Sequence, residues 1–380
     1  MKKNTIILLV ILLTTIVGTD KLIFASDNAA EKLQTNISVK GTLILQAMTA
    51  EKPNNYGGIY NTYTTSLDIE KELKNNAKIT VSLKGGISNY TIDRNNLTYS
   101  TINKDANSKD LYIETIYHKS FFCNKFNIDL GKFGLSKHFD KNTYADDTST
   151  QFLTGSFASN KTVESLDDRL GLRLNYTFSK FDIDYGYFSL IKNKFDNNGF
   201  NILQISYKPS KKENYRVYGW MDNRKYFIYK EKKDNKLKAR VFGIGASLDR
   251  EINKQIGIFA RFGYKDPSIQ TTINNYNENS NNISDFITPS LLLSVGAQIK
   301  GSSWSRANDI IGLAIGQIYT SNLKKCNKNY KYHTETQMEL YYKLEINDNI
   351  AITPNLQYIA HSKDDNNNLF IYGIRTHFKF

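Results

Sequence analysis

The 380-residue chain has few cysteines and prolines, and almost no long apolar run. It contains two cysteines and five prolines. Beyond residue 25, no apolar stretch approaches the roughly 20 residues that a membrane-spanning helix requires. It has no Gly-x-Ser-x-Gly elbow and no His-Glu-x-x-His pair. These absences argue against a helical membrane protein and against those hydrolase types, so we expect no enzyme activity, no cofactor and no metal.

The one strongly apolar run lies at the N-terminus. Two lysines precede TIILLVILLTTIV at residues 5–17, and small residues follow. This order is typical of a secretory signal peptide, and the apolar centre is short for a spanning helix. We therefore expect residues 1–25 to be a cleaved signal peptide and residues 26–380 to form one mature domain. Cleavage after Ala25 or after Gly18 fits this pattern, and an uncleaved N-terminal anchor is the alternative.

The last twelve residues, 369–380, alternate between two kinds of side chain. Every second position counted back from Phe380 is apolar except one threonine, and the positions between include Lys379, His377 and Arg375. Side chains of a strand alternate between faces, so one face is apolar and the other is charged. A bacterial outer-membrane barrel needs an apolar exterior around a polar interior. We predict such a barrel, with the terminal aromatic residue as its assembly signal.

Sixteen segments of strand-like character follow one another along the chain, each near the ~10 residues of a membrane strand. They lie at about 36–49, 62–73, 77–88, 110–122, 126–140, 169–179, 180–192, 199–210, 214–226, 236–252, 254–267, 289–301, 308–320, 333–347, 350–362 and 368–380. Connections after even-numbered segments are short, whereas most of the others are long and polar. This sorting predicts an all-β, antiparallel, up-and-down transmembrane barrel of about 16 strands, with both termini in the periplasm.

The predicted topology separates the two cysteines. Cys123 falls in a periplasmic turn and Cys326 in an external loop, at opposite ends of a wall about 25 Å tall. A disulfide allows only a few ångströms between the two residues. We therefore expect two free thiols.

The formal net charge of +13 has three interpretations. A nucleic-acid binder would cluster its basic residues on one element, whereas here they are spread along the chain, so we expect no nucleic-acid partner. A solvated surface that binds anionic lipid headgroups accounts for the run KEKKDNKLK at residues 230–238. A basic pore lining accounts for the arginines inside strands, and the sequence leaves both accounts open.

The period-two alternation assigns charged side chains to the lumen, because a charge facing lipid near the midplane costs about 2–4 kcal/mol. The candidate pore-lining and solute-binding residues are Glu114, Arg169, Arg173, Asp182, Asp184, Arg216, Arg261, Glu335, Glu339 and Arg375. Arginines and carboxylates in a narrow lumen offer donors and acceptors to hydroxyl-rich solutes. The alternative for each residue is a solvated wall position without a ligand.

Two regions carry sequence motifs at conspicuous spacing. The C-terminal motifs are Arg306 and Asp309, then Glu335, Glu339, Tyr341 and Tyr342, then Thr353, Pro354, Gln357, Tyr358 and Ile359, then Gly373, Arg375 and Phe380. The second region, 129–157, carries Gly131, Lys132, Asp147, Thr148, Thr150, Gln151 and Phe152. Both regions resemble the carbohydrate-selective porins of the OprB type, although the Trp-Gly-x-Arg opening of many members is absent. The resemblance implies a sixteen-stranded barrel through which sugars or other small polar solutes diffuse.

The long connection at 141–168 stands where a porin's constriction loop folds inward. Asp146, Asp147, Thr148, Ser149 and Thr150 are its acidic and hydroxyl residues. We expect them to face Arg169 and Arg173 just beyond the loop, and a solvated external loop is the alternative.

The sequence thus predicts a porin of the bacterial outer membrane that passes small polar solutes through a charged and constricted lumen, and the resemblance implies that these solutes are carbohydrates. An outer-membrane surface antigen or adhesin with long external loops is the alternative function. The predicted partners are outer-membrane lipids, the solutes, and the barrel-assembly machinery, which would read the C-terminal strand. The chain is expected to be a monomer or a homotrimer.

Overall fold

The computed structural model describes most of the chain beyond residue 34. It covers residues 35–50, 58–88, 102–103, 111–163, 166, 169–191, 194–195, 199–223, 226–228, 237–238, 240–266, 269–272, 289–320, 334–361 and 368–380. The predicted signal peptide at 1–25, Cys326 and most of the basic run 230–238 lie outside these residues. No helix among the described residues is long and apolar enough to cross a membrane.

The described residues form nineteen strands. In chain order they are β1 (Thr35–Ala50), β2 (Gly58–Leu73), β3 (Ala77–Ser88), β4 (Tyr112–Phe121), β5 (Phe126–Phe133), β6 (Arg169–Phe178), β7 (Phe181–Phe188), β8 (Phe200–Ser210), β9 (Glu213–Asp222), β10 (Tyr226–Ile228), β11 (Leu237–Lys238), β12 (Val241–Glu251), β13 (Ile256–Lys265), β14 (Ile269–Thr272), β15 (Pro289–Lys300), β16 (Ile310–Thr320), β17 (Thr334–Asn347), β18 (Ile350–Ala360) and β19 (Leu369–Lys379). One short helix, Gly155–Ala158, and two 3₁₀ turns, Leu135–Lys137 and Gly301–Trp304, complete the described elements.

Sixteen of these strands close a barrel, which confirms the predicted fold class. Each barrel strand pairs antiparallel with the next one along the chain, and β1 pairs with β19 to close the ring. The short strands β10, β11 and β14 form a separate three-stranded sheet. A closed ring leaves no unpaired sheet edge, which a lipid environment requires.

The connections are sorted by length between the two ends of the barrel. At the short-turn end, where β1 begins and β19 ends, the connections run from two to nine residues. At the long-loop end the connection between β5 and β6 alone spans residues 134–168. Cys123 is an exposed free thiol in the short turn between β4 and β5. The placement of the short-turn end in the periplasm stays a prediction.

Strand β5 is shorter than the predicted segment 126–140. It ends at Phe133, because the chain then turns inward and buries Leu135 and Phe139 inside the barrel. Gly131 lies within β5 at φ +153°, and a Cβ there would lie 2.0 Å from the Thr115 carbonyl oxygen. Only glycine fits this position without strain.

Candidate functional site

The segment 134–163, here called the constriction loop, folds into the barrel rather than over its rim. Phe139, Phe152 and Phe157 are almost completely buried. Phe139 joins a cluster of wall residues that includes Phe188, and the other two pack near Phe259. Full burial of a phenylalanine contributes about 1.5–3 kcal/mol. These aromatic contacts hold the loop inside the lumen, so the interpretation as a solvated external loop is wrong.

Arg261 on β13 is the most extensive polar anchor of the constriction loop. Its guanidinium donates to Asp140 Oδ1 at 3.0 Å and to the Asp140 carbonyl oxygen at 2.9 Å. It also donates to the carbonyl oxygens of Ala145, at 3.2 Å, and Phe157. The side chain has no solvent-exposed area. Arg261 therefore holds both ends of the loop's central portion against the wall.

Arg375 and Glu339 anchor the far side of the same loop. Arg375 Nη1 on β19 donates to the carbonyl oxygens of Thr148 and Gln151, each at 2.7 Å. Glu339 on β17 accepts from the backbone nitrogens of Leu153 and Thr154, at 2.8 and 2.9 Å. Both side chains are buried. These charges bind loop backbone, a role that sequence alternation alone could not indicate.

Arg169 and Arg173 do not contact the loop's acidic residues, so that expectation is wrong. Arg173 donates to Asp129 Oδ2 at 2.7 Å and, through Nε, to Asp184 Oδ1 at 2.8 Å. Arg169 donates to the Leu190 carbonyl oxygen at 2.8 Å. The reason is geometric: the loop crosses the lumen to more distant strands, and each arginine finds partners on its own side of the wall.

The acidic tip of the constriction loop is organised internally. Asp146 pairs with Lys141, and the Asp147 carboxylate accepts from Ser149 Oγ at 2.6 Å and Thr150 Oγ1 at 2.7 Å. Loss of solvation raises the pKa of Asp147, but these hydrogen bonds and the nearby Arg375 charge outweigh it and lower the pKa below its usual value. The Asp147 carboxylate is therefore ionised at neutral pH.

The other candidate lining residues are paired within the wall. Asp182 accepts from Thr177 Oγ1 at 2.6 Å and pairs with Lys208. Arg216 pairs with Asp249, and the Glu335 carboxylate accepts from Gln337 at 2.5 Å. Sequence reasoning missed Asp129, Asp140 and Asp249, the acids that pair with the buried arginines. The alternation of β5 and β12 places Asp129 and Asp249 inward, whereas Asp140 follows the strand end and carries no such signal.

Glu114 is a buried carboxylate whose two lysine partners are partly exposed. Its Oε2 is 3.2 Å from Lys84 Nζ on β3 and 3.6 Å from Lys137 Nζ on the loop. Lys84 keeps 45% of its side-chain area exposed, and Lys137 keeps 31%. Glu114 thus joins the wall and the start of the loop at a point that water reaches.

The loop leaves one sector of the lumen accessible. Many inward residues of β2, β3 and β4 keep part of their surface exposed, although Thr62, Ser82 and Ile116 are buried. On β17 the inward residues from Glu335 to Tyr341 are all buried. The accessible inward residues include Thr64, Ser66, Asp68, Glu70, Lys78, Thr80, Lys84 and His118. Glu70 Oε2 accepts from Lys78 Nζ at 2.9 Å. This hydroxyl-rich and charged sector is the candidate solute path.

Comparisons with known proteins agree with this geometry. The model of the carbohydrate-selective porin, OprB family, matches residues 86–380. A high-pH structure of OprB from Pseudomonas putida is 14% identical, covers 91% of this chain and 94% of its own, and has a TM-score of 0.76. The channel DcaP of Acinetobacter baumannii is 11% identical, with 94% and 100% coverage and a TM-score of 0.58. A trimer form of OmpT from Vibrio cholerae is 13% identical, with 91% and 99% coverage and a TM-score of 0.55.

No curated protein sequence matches the chain. At these identities the similar structures support the barrel fold, and the family match over most of the chain supports the function class. A closed barrel with an inward loop and a polar sector is the architecture of a passive diffusion channel. The chain therefore belongs to the OprB family of carbohydrate-selective porins and is a porin of the bacterial outer membrane.

Proposed function

We propose that sugars and other small polar solutes diffuse through the sector between the constriction loop and strands β2 to β4. The observation that carries this proposal is the fixed position of the loop, which Arg261, Glu339 and Arg375 hold by its backbone. A loop fixed in this way gives the path a constant width. Selection then depends on solute size and on the charges that line the path.

The lining suits neutral solutes that carry several hydroxyl groups. Thr64, Ser66 and Thr80 supply hydroxyls, and Glu114 with Lys84 supplies an acceptor beside a donor. A sugar hydroxyl both donates and accepts, so it can bond to each member of such a pair. The negative Glu114 and the positive Lys84 lie side by side, so their electric field is directed across the path. Such a field binds polar solutes, and binding in a channel must stay weak enough for the solute to be released.

Liposome swelling with sugars of increasing size tests this function. We expect fast swelling with glucose and slower swelling with trisaccharides, because the loop limits the width. Glu114→Gln combined with Lys84→Met should change the relative rates, whereas Lys254→Gln, at an exposed position in a short turn, should not. A folded barrel that causes no swelling would favour the surface-antigen function instead.

The proposal includes the location and assembly of the chain. The short-turn end faces the periplasm, residues 1–25 direct export and are removed, and the barrel-assembly machinery binds the C-terminal strand with Phe380. Outer-membrane lipids contact the apolar exterior, and the protein functions as a monomer or a homotrimer. The resemblance in fold to a trimeric OmpT structure supports the second arrangement. Cross-linking of the protein in native membranes distinguishes the two.

A further inference from the structure

Three amide side chains meet around a glycine on the wall next to the accessible sector, because β1 of this group pairs with β2. Gln46 on β1 and Asn355 on β18 are both paired in register with Gly373 on β19. A Cβ on Gly373 would lie 3.1 Å from Gln46 Cγ and 3.8 Å from Asn355 Oδ1. Gln357 follows Asn355 by two positions and faces the same side. Gln46, Asn355, Gln357 and Gly373 are here called the amide recess.

The recess contains three buried polar atoms without a hydrogen-bond partner. They are Gln46 Nε2, Asn355 Oδ1 and Gln357 Oε1, on side chains that are 2%, 7% and 1% exposed. A buried polar group without a partner costs about 1–3 kcal/mol, and native structures contain few of them. The Asn355 nitrogen donates to Glu339 Oε1 at 2.5 Å, which fixes the orientation of that amide. One donor and two acceptors therefore remain unbonded on these neighbouring side chains.

A dipeptide from the connection between β3 and β4 occupies this recess. Asn103 Nδ2 donates to Gln46 Oε1 at 3.2 Å, and Gln357 Nε2 donates to the Ile102 carbonyl oxygen at 3.0 Å. Ile102 and Asn103 are fully buried. The dipeptide thus bonds to the oxygen of Gln46 and to the nitrogen of Gln357. The nitrogen of Gln46 and the oxygen of Gln357 stay without a partner. A ligand with more hydrogen-bonding groups would bind the same recess more completely.

We propose that the amide recess is a second solute subsite for polyhydroxyl compounds, and that Ile102–Asn103 is its built-in competitor. The unbonded donor needs an acceptor and the two unbonded acceptors need donors. A hydroxyl group supplies both, whereas a carboxylate or phosphate supplies acceptors alone and an ammonium group donors alone. The register places Tyr60 beside Gln46 and Tyr341 beside Asn355, so aromatic rings flank the amides. This inference rests on the proposed function, and it adds a position at which the solute binds transiently.

The dipeptide competitor makes a specific prediction for channel block. In single-channel recordings with glucose as probe, Asn103→Ala should lower the dissociation constant for glucose block about fivefold. The substitution removes one competing hydrogen bond of about 1 kcal/mol, so glucose binds more tightly. Adding Gln46→Ala and Gln357→Ala to that variant should abolish the increase in glucose affinity. Gly373→Ala, which fills the recess, should abolish it as well. Gln317→Ala is the matched control, because this amide bonds to Thr336 and Tyr319 outside the recess.

Heat-modifiable migration and far-UV spectra establish that each variant folds. If glucose blocks the wild type and Asn103→Ala does not change the constant, the subsite is wrong and the proposed function stands. If the increased affinity for glucose persists after both glutamines are replaced, the recess does not bind glucose and holds water alone. The subsite is then also wrong. If the wild-type channel conducts but glucose does not block it, the proposed sugar passage is contradicted for the wild type. In that case, glucose block of the Asn103→Ala channel would support the dipeptide as a competitor. If glucose blocks neither channel, the subsite is also wrong.

Discussion

Arg261 is the residue on which the position of the constriction loop depends most. Replacing it with methionine keeps much of the side-chain volume but leaves the Asp140 carboxylate buried without its cationic partner. Breaking a buried ion pair in this way costs about 3–5 kcal/mol. We expect Arg261→Met to release the loop, which would raise the single-channel conductance and expose residues 141–159 to added protease.

Arg250→Met is the control for that substitution. Arg250 is exposed and lies 3.4 Å from Glu213, a contact of the kind that contributes at most about 1 kcal/mol. This variant should conduct and resist protease as the wild type does. Unchanged conductance in Arg261→Met would show that Glu339, Arg375 and the aromatic packing fix the loop without Arg261.

Among the connections at the short-turn end, residues 301–309 form the longest, and Asp309 organises it. The carboxylate accepts from Arg306 Nε at 2.5 Å, from the Tyr342 hydroxyl and from the Glu345 backbone nitrogen at 3.0 Å. Burial raises the pKa of Asp309, but the Arg306 and Tyr342 hydrogen bonds outweigh it and lower the pKa to about 2. A carboxyl whose pKa is depressed on folding stabilises the fold above its unfolded pKa of about 4.

Asp309→Asn should therefore lower the melting temperature of the purified barrel by a few degrees at pH 7. The stabilisation by the native carboxylate is lost as pH falls from about 4 to about 2, so the difference between the two proteins should shrink over that range. Melting curves at pH 7, 4 and 2.5 measure it. A difference that stays constant across these values would contradict the role assigned to the ionised carboxylate.

Phe380, which directly follows β19, extends the pairing of β1 with β19 that closes the barrel. Phe380 donates its backbone N–H to the Val39 carbonyl oxygen at 2.9 Å and accepts from Val39 N–H at 3.2 Å, while its ring is 57% exposed. Deleting Phe380 removes these two bonds at the end of the β1–β19 pairing and the exposed aromatic ring. We expect less heat-modifiable barrel in the outer-membrane fraction with normal export across the inner membrane. Phe380→Tyr should assemble normally, and full assembly of the deletion would refute the assembly signal.

At the scale of the whole molecule, the barrel is filled asymmetrically. The constriction loop leaves the wall at β5 and bonds to β12, β13, β17 and β19. Aromatic packing therefore fills the far side, while many inward residues of β2 to β4 keep contact with water. The narrow path is a consequence of where one loop is anchored.

The sequence predicted the barrel well because period-two alternation is a local property of each strand. The segment 333–347 corresponds closely to β17, whereas 126–140 was too long because inward packing ends β5 at Phe133. The partners of Arg261 and Arg375 are loop carbonyl groups more than 100 residues away. No local pattern encodes such contacts, so the sequence could predict that these side chains are charged and inward but not what they hold. Their contact with solute stays a prediction.

Single-channel recording in a planar bilayer tests the central claim, which is that a fixed inward loop leaves an open, sugar-permeable path. The purified wild-type protein should give discrete conductance steps, and glucose should reduce the ionic current in a saturable manner, because bound hydroxyl compounds displace ions from the narrow sector. Arg261→Met should conduct more and be blocked less. A folded barrel that gives no steps, or steps on which glucose has no effect in any concentration range, would contradict the account.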